Sequence, residues 1–227
     1  EMIPCPEHIK ADFCLRCKGD SMIGCRIMDG DIVFIQKHHS VRDGQIAAVM
    51  IDDEGGAHDA VEYLISKGHR RLAVITGEKD NLHTKLRLDG VCRALRGNGI
   101  PADECRILYA NWTREGGQQA AEQLIGTDVT GVFCFADKIA SGVYRCLHSR
   151  GLEPGRDLSV MGFDNDPIAD YLFPGLTTMA LPLKQMGITA SELLLSAIFD
   201  KESEIELKDN VIGIQCNVIE RGSVAAI

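Results

Sequence analysis

The chain has 227 residues and a formal net charge of −9, with 45% apolar and 25% charged residues. These are ordinary globular proportions, enough for one large domain or two small ones, and the acidic balance argues against broad nucleic-acid binding, which needs a concentrated basic face. No apolar run has the length of a membrane span and no charged-then-apolar leader opens the chain, so a soluble, cytoplasmic protein is expected; the start at Glu1 suggests a fragment.

Nine cysteines is an odd number, and four fall near the start, at Cys5, Cys14, Cys17 and Cys25. Cys14-x-x-Cys17 has a zinc-like spacing, but a structural site needs a second well-spaced pair, which Cys5 and Cys25 do not form. Phe13, Leu15 and Cys17 alternate like one face of a strand, which makes Cys17 a small core residue. Reduced thiols follow, with no metal and no cofactor expected.

Apolar segments at 13–17, 32–35 and 46–51 are separated by turns at Gly19-Asp20, Asp29-Gly30-Asp31 and Asp43-Gly44. That pattern predicts short antiparallel strands over residues 1–54, with no useful helix before Ala57. The stretch also holds Gly19-Asp20-Ser21-Met22, then Arg26 to Val33, then Gly44 to Val49. It closely resembles the LexA-like family of Ser/Lys self-cleaving peptidases. The resemblance implies Ser21 as a nucleophile, deprotonated by a neutral lysine on a later strand. Here Ile51-Asp52-Asp53-Glu54 leads instead into Gly55-Gly56-Ala57-His58, and the next lysine, Lys67, ends a predicted helix. Without its base a serine hydroxyl stays protonated, so Ser21 is read as a relic and the chain as no enzyme.

From Gly55 the pattern changes to alternating helix and strand. Ala60, Val61, Leu64 and Ile65 predict a helix that stops at Gly68, and Leu72 to Ile75 a buried strand. Leu88, Val91, Cys92 and Leu95 mark the next helix, and strands follow at 106–109 and 131–135. Asp137 is read as the N-cap of a helix through Leu147, and Leu158 to Met161 as a strand that breaks at Gly162. Strands joined by helical crossovers at this spacing predict a largely parallel sheet covered on both faces. Ligands of such sheets sit at the carboxyl ends of the strands, which singles out Asp164 just past one of them.

Residues 55–227 resemble the C-terminal part of the sugar-sensor domain of the LacI/GalR repressor family. The matching pieces, in intact order, are Gly68-His69-Arg70-Arg71, Thr76-Gly77, Arg87-Leu88-x-Gly90, Gly99-Ile100-Pro101, Phe135-Ala136-Asp137, Leu158 to Asp164, Leu176-Thr-Thr178 and Glu220 to Ser223. The resemblance implies that Arg87, Trp112, Asp137 and Asp164 line the ligand cleft. Arg87 would bind effector hydroxyls or carboxylates, Asp164 would bind the effector from the end of a strand, and Trp112 would pack on a sugar ring. On their residue type alone, Arg87 also suits a solvated helix face and Trp112 a partly buried core position.

The fold class expected is thus α/β, a parallel-sheet lobe of a periplasmic-binding-protein-like fold preceded by a small all-β LexA-like segment. The domains are residues 1–54 and 55–227, the second lacking most of its N-terminal lobe. The function expected is effector sensing in a bacterial transcription regulator, with a Ser21 peptidase fragment and a non-functional chimera as the alternatives. The partners are a sugar-like small molecule, a homodimer left open, and DNA only through a module absent from this chain. Thr177-Thr178 is read as a crossover, and the apolar residues after it, including Leu181, Leu183, Met186 and Leu193 to Leu195, as a face that must find another partner.

Overall fold

The computed structural model describes residues 11, 13–19, 22, 26–35, 50–198 and 213–227, without the side chains of Phe13, 193–194 and 196–198. The chain divides into two compact units, Glu1–Met50 with Gly187–Ile212 and Ile51–Met186 with Gly213–Ile227. In the first, β1 (Phe13–Arg16) pairs antiparallel with β2 (Ile32–Ile35), in a register that sets Phe13 opposite Ile35 and Arg16 opposite Ile32. Asp29 holds the turn by accepting from the Gly19 N–H at 2.7 Å. Leu15 is 37% exposed and Cys17 only half-buried, so Cys17 is not the core residue its alternation suggested. Ser21, Cys5, Cys25 and the expected strand over 46–49 lie outside the described residues. Among the described residues no group of three His, Cys, Asp or Glu could hold a metal ion, and no helix is long and apolar enough to cross a membrane.

The second unit follows β3 (Met50–Ile51) and begins with α1 (Asp53–Ser66). The helix starts before Ala57, where the first one was expected: Asp52 is its N-cap, accepting from the Gly55 N–H at 2.8 Å, and Asp53 and Glu54 fill the first turn. Carboxylates there suit the positive end of the helix dipole. The helix closes at Gly68, whose N–H bonds the Ile65 carbonyl while that of His69 bonds Leu64. Then come β4 (Leu72–Thr76), α2 (Leu82–Gly97), β5 (Arg106–Tyr109), α3 (Arg114–Glu122), β6 (Gly131–Cys134) and α4 (Asp137–His148). The remainder is β7 (Ser159–Asp164), α5 (Ile168–Tyr171), β8 (Thr177–Ala180), the first residues of α6 (Leu183–Ile198, which passes into the first unit at Gly187), β9 (Gly213–Ile214) and β10 (Asn217–Ile219).

Six strands form one sheet in the order β10-β8-β7-β6-β4-β5, parallel except for the antiparallel β10. The fully apolar runs of β4 and β6 are buried at every position, as a sheet covered on both faces requires. Helix α1 packs on α2, and α3 on α4. From β4 the chain moves outward to β5, then returns across β4 to β6. With right-handed crossovers this reversal puts the two helix pairs on opposite faces, and it opens a crevice between the carboxyl ends of β4 and β6.

Two differences from the sequence reading arise around β7. The strand does not break at Gly162 but continues through Phe163 to Asp164, because Gly162, Phe163 and Asp164 pair with Thr178, Met179 and Ala180 of β8. Thr177 and Thr178 are therefore buried strand residues of the sheet rather than a crossover out of it. Beyond them Leu181 packs on the core, whereas Leu183 is 67% and Leu195 51% exposed.

Candidate functional site

The crevice at the strand reversal holds a cluster built from five elements. Asp53 is in the first turn of α1, His83 and Arg87 are one turn apart on α2, Trp112 precedes α3, Phe135 follows β6, and Asp164 ends β7. Asn81 fixes the start of α2 by accepting from the His83 and Thr84 N–H groups at 2.9 and 3.3 Å. That cap directs the face bearing His83, Thr84 and Arg87 toward α1 and the ends of the strands.

Arg87 is buried, not a solvated helix-face residue. Its Nε donates to Asp53 Oδ1 at 2.7 Å, its Nη1 donates to the Phe135 carbonyl, and its Nη2 lies 4.0 Å from Asp164 Oδ1. The guanidinium sits 3.7 Å from the centroid of the Phe163 ring and 5.8 Å from that of Trp112, within cation–π range of both. The other Asp53 oxygen lies 2.8 Å from His83 Nδ1. Burial is the largest influence on Asp53 and opposes its ionisation, yet His83 and Arg87 together hold its carboxyl below the ordinary range. Asp53 and His83 were not singled out by sequence; an acidic residue in a turn gives no sign that it will be enclosed.

Trp112 lies directly over Gly77, where a Cβ would come within 1.8 Å of the indole Cε2. The close approach needs a residue with no side chain, which explains why Thr76-Gly77 ends β4 at the crevice. Trp112 is only partly buried and has φ 58°, while Asp164 has φ 113° and Asn165 55°. Non-glycine residues adopt this region at a cost of order 1–3 kcal/mol, and such strain concentrates at binding sites. Burial pushes the Asp164 carboxyl up to about 6, with Arg87 pulling it down and Asp166 and Asp53 pushing it further up.

Asp137 stands apart from this group. It is not the N-cap of α4; Ala136 holds that position and provides no side-chain cap. The Asp137 side chain is instead buried, with Oδ1 accepting from Thr178 Oγ1 at 2.6 Å and Oδ2 from the Asp166 N–H at 2.7 Å. It thereby ties the loop after β7 to β8, occupying space that a Cβ at Gly162 would enter at 2.1 Å. Burial drives its carboxyl up to about 7, against the two hydrogen bonds that favour the ionised form.

Residues 61–224 match the periplasmic binding protein-like domain model. The chain belongs to this family. Its relatives place it in the LacI branch: it is 34% identical over 185 residues to the HTH-type transcriptional repressor PurR of Vibrio atlanticus, covering 81% of this chain and 54% of the repressor. It is 35% identical over 187 residues to the repressor CytR of Escherichia coli K12, covering 81% and 53%. A LacI family regulator from Enterococcus faecium, solved with bound ribose, superposes with a TM-score of 0.70 at 33% identity, over 82% of this chain and 68% of that one. The LacI-type chain thus spans about half the length of the curated relatives it matches. Residues 2–72 match the peptidase S24-like model, so the LexA-like resemblance runs beyond residue 54 and overlaps the start of the LacI-type match.

Proposed function

We propose that the second unit is the effector-sensing lobe of a LacI-type transcription regulator. It takes a small hydroxylated ligand against Arg87, Trp112 and Asp164, with Asp137 acting from beneath as a positioning residue. The observation that carries this reading is the guanidinium of Arg87, buried where the strand order reverses, with one donor, Nη2, facing the Asp164 carboxylate. A ligand hydroxyl can accept from the first and donate to the second, while the indole offers an apolar face to a ring. The relatives are transcription regulators, and the ribose-bound neighbour supports a sugar as ligand. DNA binding would belong to a part of the protein outside this chain. We treat residues 1–50 as a separate LexA-like segment, ending short of the expected boundary at 54 because Asp52 to Glu54 open α1 of the second unit.

Thermal shift and calorimetry against ribose, cellobiose and a purine nucleoside test the assignment. At least one ligand raises the melting temperature of the wild type, and Gly77→Ala, which displaces the indole, weakens its binding about tenfold or more while the fold is kept. No shift with any ligand in a folded protein would sink the proposal.

The S24-like match favours a second reading, in which Ser21 retains peptidase chemistry. A serine-reactive probe discriminates: labelling of the wild type at alkaline pH but not of Ser21→Ala would establish it. The sensor reading expects no labelling at Ser21.

A further inference from the structure

We propose that Asp53 is a specificity-determining residue of the cleft: by engaging Arg87 in advance, it restricts the effector to uncharged hydroxylated molecules and turns away phosphorylated or carboxylated ones. The inference rests on the sensor reading and narrows its ligand class. A free arginine at the end of a parallel sheet would be an anion receptor, because its planar fork presents parallel donors and a permanent charge. Here that fork is already engaged. Nε is held by Asp53 and Nη1 by the Phe135 carbonyl, and one guanidinium face is stacked on Phe163. Nη2 remains, and it faces a second carboxylate, Asp164.

Asp53 cannot readily swing away to make room for an anion. Its side chain is 0% exposed, and its second oxygen bonds His83 Nδ1, which must carry the proton because an ionised carboxylate only accepts. An anionic group reaching Nη2 would meet the Asp164 carboxylate in front and Asp53 behind. In a partly dehydrated crevice, like charges repel far more strongly than in water. A hydroxyl meets no such opposition, since it can accept from Nη2 and donate to Asp164 at once. Two of the three unpartnered buried polar atoms among the described residues, those beside Arg87, suit the same class of ligand. Thr84 Oγ1, one turn before Arg87, and Trp112 Nε1, over Gly77, are both neutral.

The experiment compares the wild type, Asp53→Asn and Asp164→Asn by calorimetry against inorganic phosphate, and against ribose paired with ribose 5-phosphate. Asp53→Asn keeps an oxygen for Arg87 Nε, removes the charge, and sets an amide NH2 opposite His83 Nδ1, which then has to take its other tautomer. The wild type is expected to show no phosphate binding. Asp53→Asn gains affinity for phosphate by about tenfold or more, and the gain disappears when Arg87→Ala is added. If Asp53→Asn does not fold, Asp53→Ser, which also removes the charge, makes the same comparison, and Asp164→Asn reports only on the carboxylate in front of Nη2. Phosphate or ribose 5-phosphate binding to the wild type that Arg87→Ala abolishes would overturn the proposal, as would a folded variant with no gain. Failure of the sensor reading is a separate result. It appears as no response to any sugar or nucleoside, and the phosphate measurements do not depend on it.

Discussion

Replacing Asp53 with alanine is expected to lower the unfolding free energy by about 3–5 kcal/mol, the usual cost of leaving one partner of a buried ion pair without the other. Arg87 is about 5% exposed, and its Nε has no other acceptor placed for it. Losing the carboxylate therefore strands a guanidinium beside the core, whereas His83, 45% exposed, can turn to water. Urea unfolding at pH 7 measures the effect. Asp53→Asn should cost less, because it preserves the acceptor for Arg87 Nε and gives up the charge and the acceptor facing the half-exposed His83. Combining Asp53→Ala with Arg87→Leu should recover much of the loss, since removing both charges abolishes the unmet burial. A cost for Asp53→Ala within about 0.5 kcal/mol of zero, typical of surface substitutions, would show that the pair is not enclosed.

The second large effect is on pH dependence. The Asp137 carboxyl titrates near 3.8 when unfolded and at about 7 in the fold, where burial is its largest influence. Between those values the folded chain keeps a proton that the unfolded chain has released, so stability falls as pH rises through this window. At 1.36 kcal/mol per pH unit the full interval corresponds to about 4 kcal/mol. Asp164, raised to about 6, adds in the same direction, and its charge is one of the smaller influences that raise Asp137. Asp53 is shifted downward, so its contribution is lost only as pH falls below its ordinary range, outside the window. Buried His69 works in the opposite sense, its stabilisation fading as pH falls below about 6.5, but it is common to both proteins compared.

The readout is thus the difference in unfolding free energy between wild type and Asp137→Asn from pH 4 to 8. The asparagine loses one hydrogen bond, a constant offset, because its amide cannot accept from the Asp166 N–H. The wild type should decline relative to the variant as pH rises. Parallel curves would mean that Asp137 is ionised throughout.

Much of the sheet was legible because its strands are short apolar runs bounded by capped helices, and these are local signals. Leu72–Thr76 and Arg106–Tyr109 are examples, as is the spacing of Leu88, Val91, Cys92 and Leu95 that marked α2. The cluster around Arg87 was legible only in part. Arg87, Trp112 and Asp164 could be named from resemblance, but Asp53 lies 34 residues from Arg87 and looked like one carboxylate in an acidic turn. Only the packing of α1 on α2 converts that residue from solvated to enclosed. Asp137 failed for the same physical reason. At the start of a helix an aspartate reads as a cap, and its true partners, Thr178 and the Asp166 N–H, arrive from segments 41 and 29 residues away. The extension of β7 past Gly162 was likewise decided by pairing with β8, which no local pattern encodes.

The pairing at the far edge of the sheet leaves the route between its two strands unconstrained. The chain leaves along β8 at Ala180 and returns along β10 with Asn217 directly opposite it. Antiparallel strands in that register can be closed by a two-residue turn. In this sense helix α6 is cargo carried between two edge strands that a short turn could join, while Leu181 and Cys216 beside those strands pack into the core. Evolution can lengthen, shorten or exchange such cargo without re-threading the sheet, because loop length adds only slowly to the cost of closure.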